Sequence, residues 1–227
     1  MAGGDEVKEV RNQQVLARDY ISAIPEESDM YLNRSSTIKL RVPDEDDCQE
    51  AMLLKNLYLS CDPYMRGVKH SDATSSTDQD RIVFFATDKP IVGYGVSKVV
   101  DSKHPEFKAG DLVWGITKWE EYTLIKNTQS FFKINHTDVP LSYYTGILGV
   151  TNLMHLIYKR VRMEGFFVFD FYHLYPKFLD LVVPYIKQGN ITYVEDIVEG
   201  LENGPASLVR LFSGRNAGKA VVVVARD

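Results

Sequence analysis

Two tyrosines stand in sequence contexts that favour chemistry. Tyr64 follows an apolar stretch within the string LSCDPYMR, and Tyr94 lies between Gly93 and Gly95. A tyrosine hydroxyl can donate a hydrogen bond to a carbonyl oxygen that gains enolate charge, and its ring can wall an apolar pocket. Flanking glycines let a backbone approach a ligand closely. A packing role is the alternative interpretation, because the chain contains 13 tyrosines.

Other kinds of chemical site find no support in the sequence. The Gly93–Gly95 pair lacks the third glycine of a dinucleotide fingerprint, and the string GRNAGKA at 214–220 is too short for a phosphate loop and leads into a predicted strand. Neither Cys48 nor Cys61 has a base near it in the sequence, so a nucleophilic cysteine is not indicated. Five histidines are scattered without the spacing of zinc ligands: His70, His104, His136, His155 and His173. We therefore expect no bound metal.

The first two thirds of the chain are predicted to form short β-strands. Apolar and polar side chains alternate at 36–42, as in a half-buried strand, and Pro43 ends the pattern. Further predicted strands, separated by turn signals, lie at 53–59, 91–100, 112–115, 121–125 and 131–134. The polar tract 71–81 is predicted to be a surface loop. Many short strands with frequent turns are typical of a barrel or a sandwich.

After Pro140 the pattern changes. Apolar side chains from Phe171 to Ile186 recur at steps of 4, 3, 4 and 4, which predicts an amphipathic helix. Pro184 lies inside this pattern, and Gly189 is placed to follow the helix C-cap. The remaining predicted elements are a strand at 166–169, a strand at 191–194, a helix at 205–213 and a buried strand at 219–225.

Composition and charge exclude several classes of partner. Hydrophobic residues make up 44% of the 227, and 26 Lys+Arg against 31 Asp+Glu leave a net charge of -5. The acidic balance argues against nucleic acid and anionic membranes as partners. No apolar run approaches the roughly 20 residues of a membrane helix. Two cysteines cannot build a disulfide framework and the first residues lack a signal-peptide pattern, so we expect a cytoplasmic, reducing environment.

Longer strings resemble one enzyme family. They are NLYLSCDPYMR at 56–66, GYGV at 93–96, GDLVWG at 110–115, WEEY at 119–122, DVPLSYYTGILG at 138–149, MEGF at 163–166, ITYVED at 191–196 and GRNAGKAVVVVAR at 214–226. These strings are similar to the plant NADP-dependent alkenal (2-alkenal) double-bond reductases, zinc-independent medium-chain dehydrogenase/reductases related to prostaglandin reductase. The resemblance implies hydride transfer from NADPH to the β-carbon of an α,β-unsaturated aldehyde or ketone, followed by protonation of the α-carbon.

One departure from the family pattern bears on activity. Family members continue from the TGILG string into a cofactor domain that opens with a strand and a glycine loop. Here Gly149 is followed at once by a stretch that resembles the region before the family's last elements, so on the order of 100 residues of a Rossmann unit are missing. The missing segment would carry the phosphate loop, the residues that select the 2′-phosphate and the family's enolate-facing tyrosine. We therefore expect an internally deleted form in which NADP(H) binding is weak or absent.

The resemblance assigns roles to single residues. Pro63 and Tyr64 correspond to substrate-side residues of the DPYMR motif, and Tyr94 corresponds to the tyrosine that lines the enone pocket. Four residues correspond to positions near the cofactor: Phe166, Phe167, Val168 and Asn216. No catalytic residue is assigned.

The expected fold is α+β and rich in β-structure. A GroES-like, partly open β-barrel is expected at 1–149 as the substrate domain, and a remnant of an α/β Rossmann domain at 150–227, with its last strands returning to the barrel. The first functional hypothesis is an NADPH-dependent reductase of C=C bonds with impaired activity. The second is a non-catalytic interaction protein that pairs through an exposed apolar edge at 166–169 with a second copy or with full-length relatives.

The helix predicted at 171–186 has lost the sheet that its apolar stripe covers in relatives. Apolar patches left without a covering surface usually mark interfaces or liabilities. We therefore expect certain side chains near the junction to be more exposed than barrel residues. The side chains compared are Phe167, Phe169, Phe178 and Val182 on one side and Ile38, Leu40 and Leu57 on the other.

Overall fold

The structure is a computed structural model that describes residues 7–18, 25–66, 86–135, 140–145 and 168–226. The side chains of Tyr64, Val168 and Phe169 also lie outside the described part. The loop predicted at 71–81 and the first half of the strand predicted at 166–169 fall outside it as well.

The described chain is rich in β-structure and contains few helices, which confirms the coarse fold class. The strands are β1 (Glu9–Arg11), β2 (Gln14–Ala17), β3 (Met30–Asn33), β4 (Thr37–Lys39), β5 (Met52–Ser60), β6 (Val92–Ser102), β7 (Leu112–Lys118), β8 (Tyr122–Ile125), β9 (Phe132–Lys133), β10 (Glu195–Glu199) and β11 (Lys219–Val223). The α-helices are α1 (Tyr175–Lys187) and α2 (Gly204–Phe212). Short 3₁₀ helices lie at Glu27–Asp29, Asp46–Cys48, Pro63–Arg66, Leu141–Thr145, Val168–Leu174 and Leu201–Asn203.

A seven-stranded sheet organises these elements. Its strand order is β10-β11-β5-β6-β7-β9, and β8 also pairs with β5. The last strand, β11, runs antiparallel to β5 with Val222 opposite Leu59, and parallel to β10. Two smaller sheets pair β1 with β4 and β2 with β3. The carboxyl-terminal strands are thereby built into the same sheet as the amino-terminal ones.

The chain divides into two compact units. The first comprises Met1–Gly146 and Glu195–Asp227, and the second comprises Ile147–Val194. The first unit therefore holds all the described strands together with α2, and the second holds α1. None of the helices in the described ranges combines the length and apolar composition needed to cross a membrane.

The main core of the first unit joins β2, β5 and β11 to α2. Its buried side chains include Val15, Leu59, Cys61, Met65, Ile91, Trp119, Leu201, Leu208 and Val222. A second cluster is formed by strands β5 to β8 and by the segments that follow β6 and β8. Its buried side chains are Met52, Leu54, Val99, Phe107, Val113, Ile125 and Phe131. Burial of these apolar side chains is the main favourable contribution to folding of the unit.

Most predicted strands are confirmed with shifted ends, and two are wrong. The strand predicted at 191–194 begins only at Glu195, because its hydrogen-bonding partner β11 begins at Lys219, directly opposite. Val168 and Phe169, the described half of the strand predicted at 166–169, belong to a 3₁₀ helix that leads into α1. Periodicity cannot separate strand from helix in so short an apolar run.

Helix α1 confirms the predicted helix from Tyr175 onward. Pro184 lies inside the helix, and Gly189 follows its C-cap with φ of +73°, a conformation that favours glycine. Phe178 is 52% exposed whereas Leu57 is 1% exposed, so the expected contrast is confirmed for this pair. Val182, Ile38 and Leu40 are all half-buried and show no contrast, and the side chains of Phe167 and Phe169 lie outside the described residues.

Candidate functional site

Residues 62–65, here called the DPYM turn, form a turn where β5 ends. Ser60 is the last residue of β5, and a 3₁₀ helix begins at Pro63. The turn is closed by a 3.1 Å hydrogen bond from the Met65 amide to the Asp62 carbonyl. Met65 is fully buried, so its side chain anchors the turn in the main core, while Pro63 is exposed. The backbone of Tyr64 lies in this 3₁₀ helix.

A buried ion pair holds the start of this turn. The Lys219 ammonium group donates to Asp62 Oδ1 and, over 3.1 Å, to the Cys61 carbonyl. Asp62 Oδ2 accepts a hydrogen bond from the Ser60 hydroxyl. The Lys219 and Asp62 side chains are only 9% and 5% exposed. Buried charges are tolerated when they are paired and hydrogen-bonded, as both are here.

Asn216 lies in the turn that delivers Lys219 to this pair. Its side-chain amide donates a 2.7 Å hydrogen bond to the Gly218 carbonyl, immediately before β11. Asp196 supports the same turn by accepting a bond of 3.2 Å from the Ala217 amide. The structure thus joins the predicted substrate-side turn and the predicted cofactor-side residue Asn216 through one strand end.

Tyr94 lies in β6 and packs against protein. Its ring is stacked on that of Trp114, with centroids 4.8 Å apart and planes 5° apart, and only 7% of the residue is exposed. The Phe132 ring is tilted against Trp114 at 5.8 Å. A role of Tyr94 toward an enone stays a prediction beside this packing role.

The two glycines around Tyr94 make room for neighbouring protein atoms. A Cβ at Gly95 would lie 2.8 Å from the Tyr58 carbonyl oxygen and from Thr117 Cγ2, and one at Gly93 would lie 3.3 Å from Met65 Cε. Because side chains alternate along a strand, the Tyr94 ring faces away from Met65. The structure therefore places the Tyr94 ring and the anchor of the DPYM turn on opposite faces of β6.

The remaining predicted cofactor residues belong to the other unit or fall outside the described chain. Val168 is the first residue of the 3₁₀ helix Val168–Leu174 in the second unit. Phe166 and Phe167 lie outside the described residues. Their assignment stays a prediction.

A buried amide ties together the three strands that carry these segments. Asn56 of β5 donates from Nδ2 to the carbonyls of Lys118 (3.0 Å) and Glu120 (2.7 Å). Its Oδ1 accepts from the hydroxyls of Ser97 (2.7 Å) and Thr117 (3.0 Å). With all these bonds made, the side chain fixes β5, β6 and β7 relative to one another.

Glu120 is a buried carboxyl group beside this network. Its Oε2 accepts hydrogen bonds from the side chains of Asn12 (3.2 Å) and Gln14 (2.5 Å). Burial disfavours the charged form and raises the pKa of Glu120, although these hydrogen bonds oppose the shift. Asn12 and Gln14 belong to the amino-terminal part of the chain, so Glu120 attaches this part to the segment between β7 and β8.

The buried Cys61 thiol is not a reactive group. Burial raises the pKa of the Cys61 thiol to about 12, and its Sγ lies 3.7 Å from Ser207 Oγ. A thiol with so high a pKa carries almost no thiolate at neutral pH.

Among the described residues one group of potential metal ligands comes together, formed by Glu45, Asp47 and Cys48. The Lys126 ammonium already lies 2.6 Å from Asp47 and 3.6 Å from Glu45. A positive side chain so placed competes with a cation, and the group carries no metal assignment. The expectation that no metal is bound stays a prediction.

Sequence reasoning missed Asp62 and Lys219 as a pair. Asp62 lies within the DPYMR motif. Lys219 is the first residue, and the one charged residue, of the buried strand predicted at 219–225. A charged side chain at the start of a buried strand is the signal that indicates a partner.

Comparison with known proteins places these features in a family. The sequence profile of the N-terminal domain of oxidoreductases matches residues 13–134. The NADP(+)-dependent 2-alkenal reductase of Nicotiana tabacum is 35% identical over 350 positions, covering 97% of this chain and 99% of the tobacco enzyme. The (+)-pulegone reductase of Mentha piperita is 32% identical over 349 positions, covering 96% and 100%.

Solved structures show the same fold. CurA from Vibrio vulnificus superposes with a TM-score of 0.67 at 21% identity, covering 95% of this chain and 99% of CurA. CurA in complex with NADPH gives a TM-score of 0.66.

The alignment with the tobacco enzyme is longer than this chain of 227 residues, so more than a hundred positions of the alignment have no residue in this chain. By the profile match and by identity along the length of two relatives, this chain belongs to the NADP-dependent reductases of the medium-chain dehydrogenase/reductase family, in the group that includes plant 2-alkenal reductase.

Proposed function

We propose that this chain is an internally deleted reductase for the C=C bond of α,β-unsaturated aldehydes and ketones, and that its own activity is impaired. The observation that carries the proposal is the alignment of 350 positions against 227 residues, with similarity extending to both ends of the tobacco enzyme. We infer from the resemblance that the gap follows Gly149, where relatives enter their cofactor domain. The chain keeps the substrate-side motif and the last strands and has lost most of what lies between them.

The surroundings of the helices in the described part support weak or absent dinucleotide binding. Helix α2 follows β10, but Glu202 oxygens lie within 2.7 Å of where a Gly200 Cβ would be, and Trp119 lies 2.8 Å from that of Gly204. A pyrophosphate needs free backbone amides at a helix start, and this crowding by a carboxylate and an indole supports the inference that α2 does not hold one. Helix α1 continues directly from a 3₁₀ helix and has Pro176 in its first turn.

Reduction of an enone depends on holding the nicotinamide and the substrate at the distance and orientation that hydride transfer requires. The substrate side keeps the DPYM turn with Pro63 and Tyr64, together with Tyr94. The residues that correspond to the cofactor side would touch only parts of the cofactor; they are Phe166, Phe167, Val168 and Asn216. Asn216 directs its amide to the Gly218 carbonyl. We therefore expect NADP(H) to bind weakly or not at all.

The test is a titration of NADPH by calorimetry together with an assay of NADPH oxidation in the presence of a 2-alkenal. We expect neither binding nor oxidation at micromolar protein. A matched chimera, with the cofactor domain of the tobacco enzyme inserted between Gly149 and Val150, should recover both. Low-micromolar NADPH binding by the unaltered chain would contradict the proposal, as would a folded chimera without activity.

A second candidate function is that of a non-catalytic interaction protein. The second unit carries exposed large apolar side chains at steps of 3, 4, 3 and 4, the spacing with which helices pack against each other. They are Phe171, Leu174, Phe178, Leu181 and Tyr185. The proposed partner is a second copy of this chain or a full-length relative. Pairing through the apolar edge at 166–169 stays a prediction, as does the cytoplasmic location.

Light scattering at rising protein concentration, alone and mixed with a full-length relative, tests this alternative. Phe178→Asp should abolish a dimer if the exposed stripe mediates it, whereas Lys177→Asp beside the stripe should not. A monomer at all concentrations and in the mixture would exclude the interaction.

A further inference from the structure

We propose that Lys219 is a positioning residue that couples the DPYM turn to the turn containing Asn216. The roles of the two turns in substrate and cofactor binding rest on the proposed function. The coupling itself rests on the geometry of the Asp62–Lys219 pair.

On the substrate side, the ion pair leaves Asp62 little freedom. One carboxylate oxygen accepts from Lys219 and the other from Ser60. The Asp62 carbonyl accepts from the Met65 amide at 3.1 Å, which closes the turn. Pro63 follows directly, and its ring fixes the backbone φ angle. A displacement of the Asp62 carboxylate therefore moves the start of the whole turn.

On the other side, Lys219 is the first residue of β11. The Cys61 amide donates a 3.1 Å hydrogen bond to the Ala220 carbonyl, so the pairing of the two segments continues past the end of β5. The turn closed by Asn216 and Gly218 immediately precedes Lys219. The same lysine therefore ends one turn and restrains the other.

The burial of this pair sets it apart from surface ion pairs. The Lys126–Asp47 pair, also short at 2.6 Å, has side chains that are 44% and 64% exposed. Surface ion pairs of that kind contribute little to the free energy of folding, and their side chains can move without loss of stability. A buried ion pair is often no more stabilising than apolar residues of similar volume, so its presence in an otherwise apolar strand favours a role in specifying geometry.

Amide hydrogen exchange measured by NMR tests the coupling in the full chain. The variants are Lys219→Met, Lys219→Arg and the neutral pair Asp62→Asn/Lys219→Met, with Lys126→Met as the matched control at an exposed pair. In Lys219→Met we expect the Met65 and Cys61 amides to exchange about tenfold faster, while the Val99 amide, which is bonded to Asp111 at 2.9 Å, keeps its rate. The Asn216 side-chain signals should shift in the same variant. Lys219→Arg should restore the wild-type pattern, and Lys126→Met should leave it unchanged.

Unchanged exchange at Met65, or equal acceleration at Met65 and Val99, would overturn the proposal. If Lys219→Met does not fold, the neutral double variant decides the question, because it buries no unpaired charge. Fast exchange at Met65 in the double variant supports positioning, and the wild-type rate refutes it.

A binding measurement with the enone benzylideneacetone separates this inference from the proposed function. Binding is detected as broadening of the NMR signals of benzylideneacetone. We expect about tenfold weaker binding in Lys219→Met than in the wild type and in Lys126→Met. If the wild-type chain does not bind the enone, the proposed substrate class fails, while the exchange data still decide the role of Lys219.

Discussion

The hydroxyl of Ser142 donates a 2.9 Å hydrogen bond to Glu195 Oε2. Ser142 lies shortly before the point where the chain leaves the first unit, and Glu195 is the residue at which it returns. The bond therefore joins the two ends of the segment Ile147–Val194 from within the first unit. Burial raises the pKa of the half-buried Glu195 carboxyl group, and the hydrogen bond from Ser142 opposes this shift.

Because the first unit is closed in this way, we expect it to fold without the second. Replacement of Ile147–Val194 by a short Gly/Ser linker should leave a protein that unfolds cooperatively in urea, with the near-ultraviolet signal of the Tyr94–Trp114 stack preserved. In this linker variant, Ser142→Ala should lower the free energy of unfolding by about 1 kcal/mol. Loss of the cooperative transition would show that the first unit depends on the second.

Glu120 should make stability depend on pH. Because its folded-state pKa is raised, its contribution to stability is fully present below the unfolded pKa of about 4.3 and is lost as the pH rises through the folded pKa. Glu120→Gln removes this loss, so the variant should gain stability relative to the wild type between about pH 4 and about pH 7. Urea unfolding at both pH values measures the difference. Glu106→Gln, at an exposed site, is the control. If Glu120→Gln is less stable than the wild type by the same amount at both pH values, the raised pKa of Glu120 is contradicted.

The glycines of the GYG string should differ in tolerance. Gly95→Ala places a Cβ 2.8 Å from the Tyr58 carbonyl oxygen, a backbone atom that cannot yield without disturbing β5, and should lower the free energy of unfolding by about 2 kcal/mol. Gly93→Ala meets the flexible end of Met65 at 3.3 Å and Trp119 Nε1 at 3.4 Å, which is ordinary contact, and should have an effect below about 1 kcal/mol. Chemical denaturation of the two variants gives the comparison, and equal effects would refute this account of the close approach.

Cys61 should be chemically inert in the folded protein. Its residue is 1% exposed and burial raises the pKa of the thiol to about 12, so iodoacetamide at about pH 8 should leave it unlabelled. Mass spectrometry after labelling in urea should show the modification, which controls for reagent activity. Labelling under native conditions would mean that α2, which supplies Ser207, opens from the sheet.

Much of the local structure followed from the sequence because its causes are local. The apolar patterns of β5 and β6 predict strands close to Met52–Ser60 and Val92–Ser102, and Gly189 ends α1 because its positive φ is available to glycine. The strings that resemble the family run along nearly the whole chain, and those around Asp62 and Tyr94 are among them.

The tertiary structure alone decided which distant residues meet. Lys219 and Asp62 are 157 positions apart, and their contact exists because β11 pairs with β5. The start of β10 at Glu195, rather than earlier in the apolar run, likewise depends on where β11 begins. Strand pairing is set by hydrogen bonds and packing between segments remote in sequence, and no local periodicity records the partner or the register.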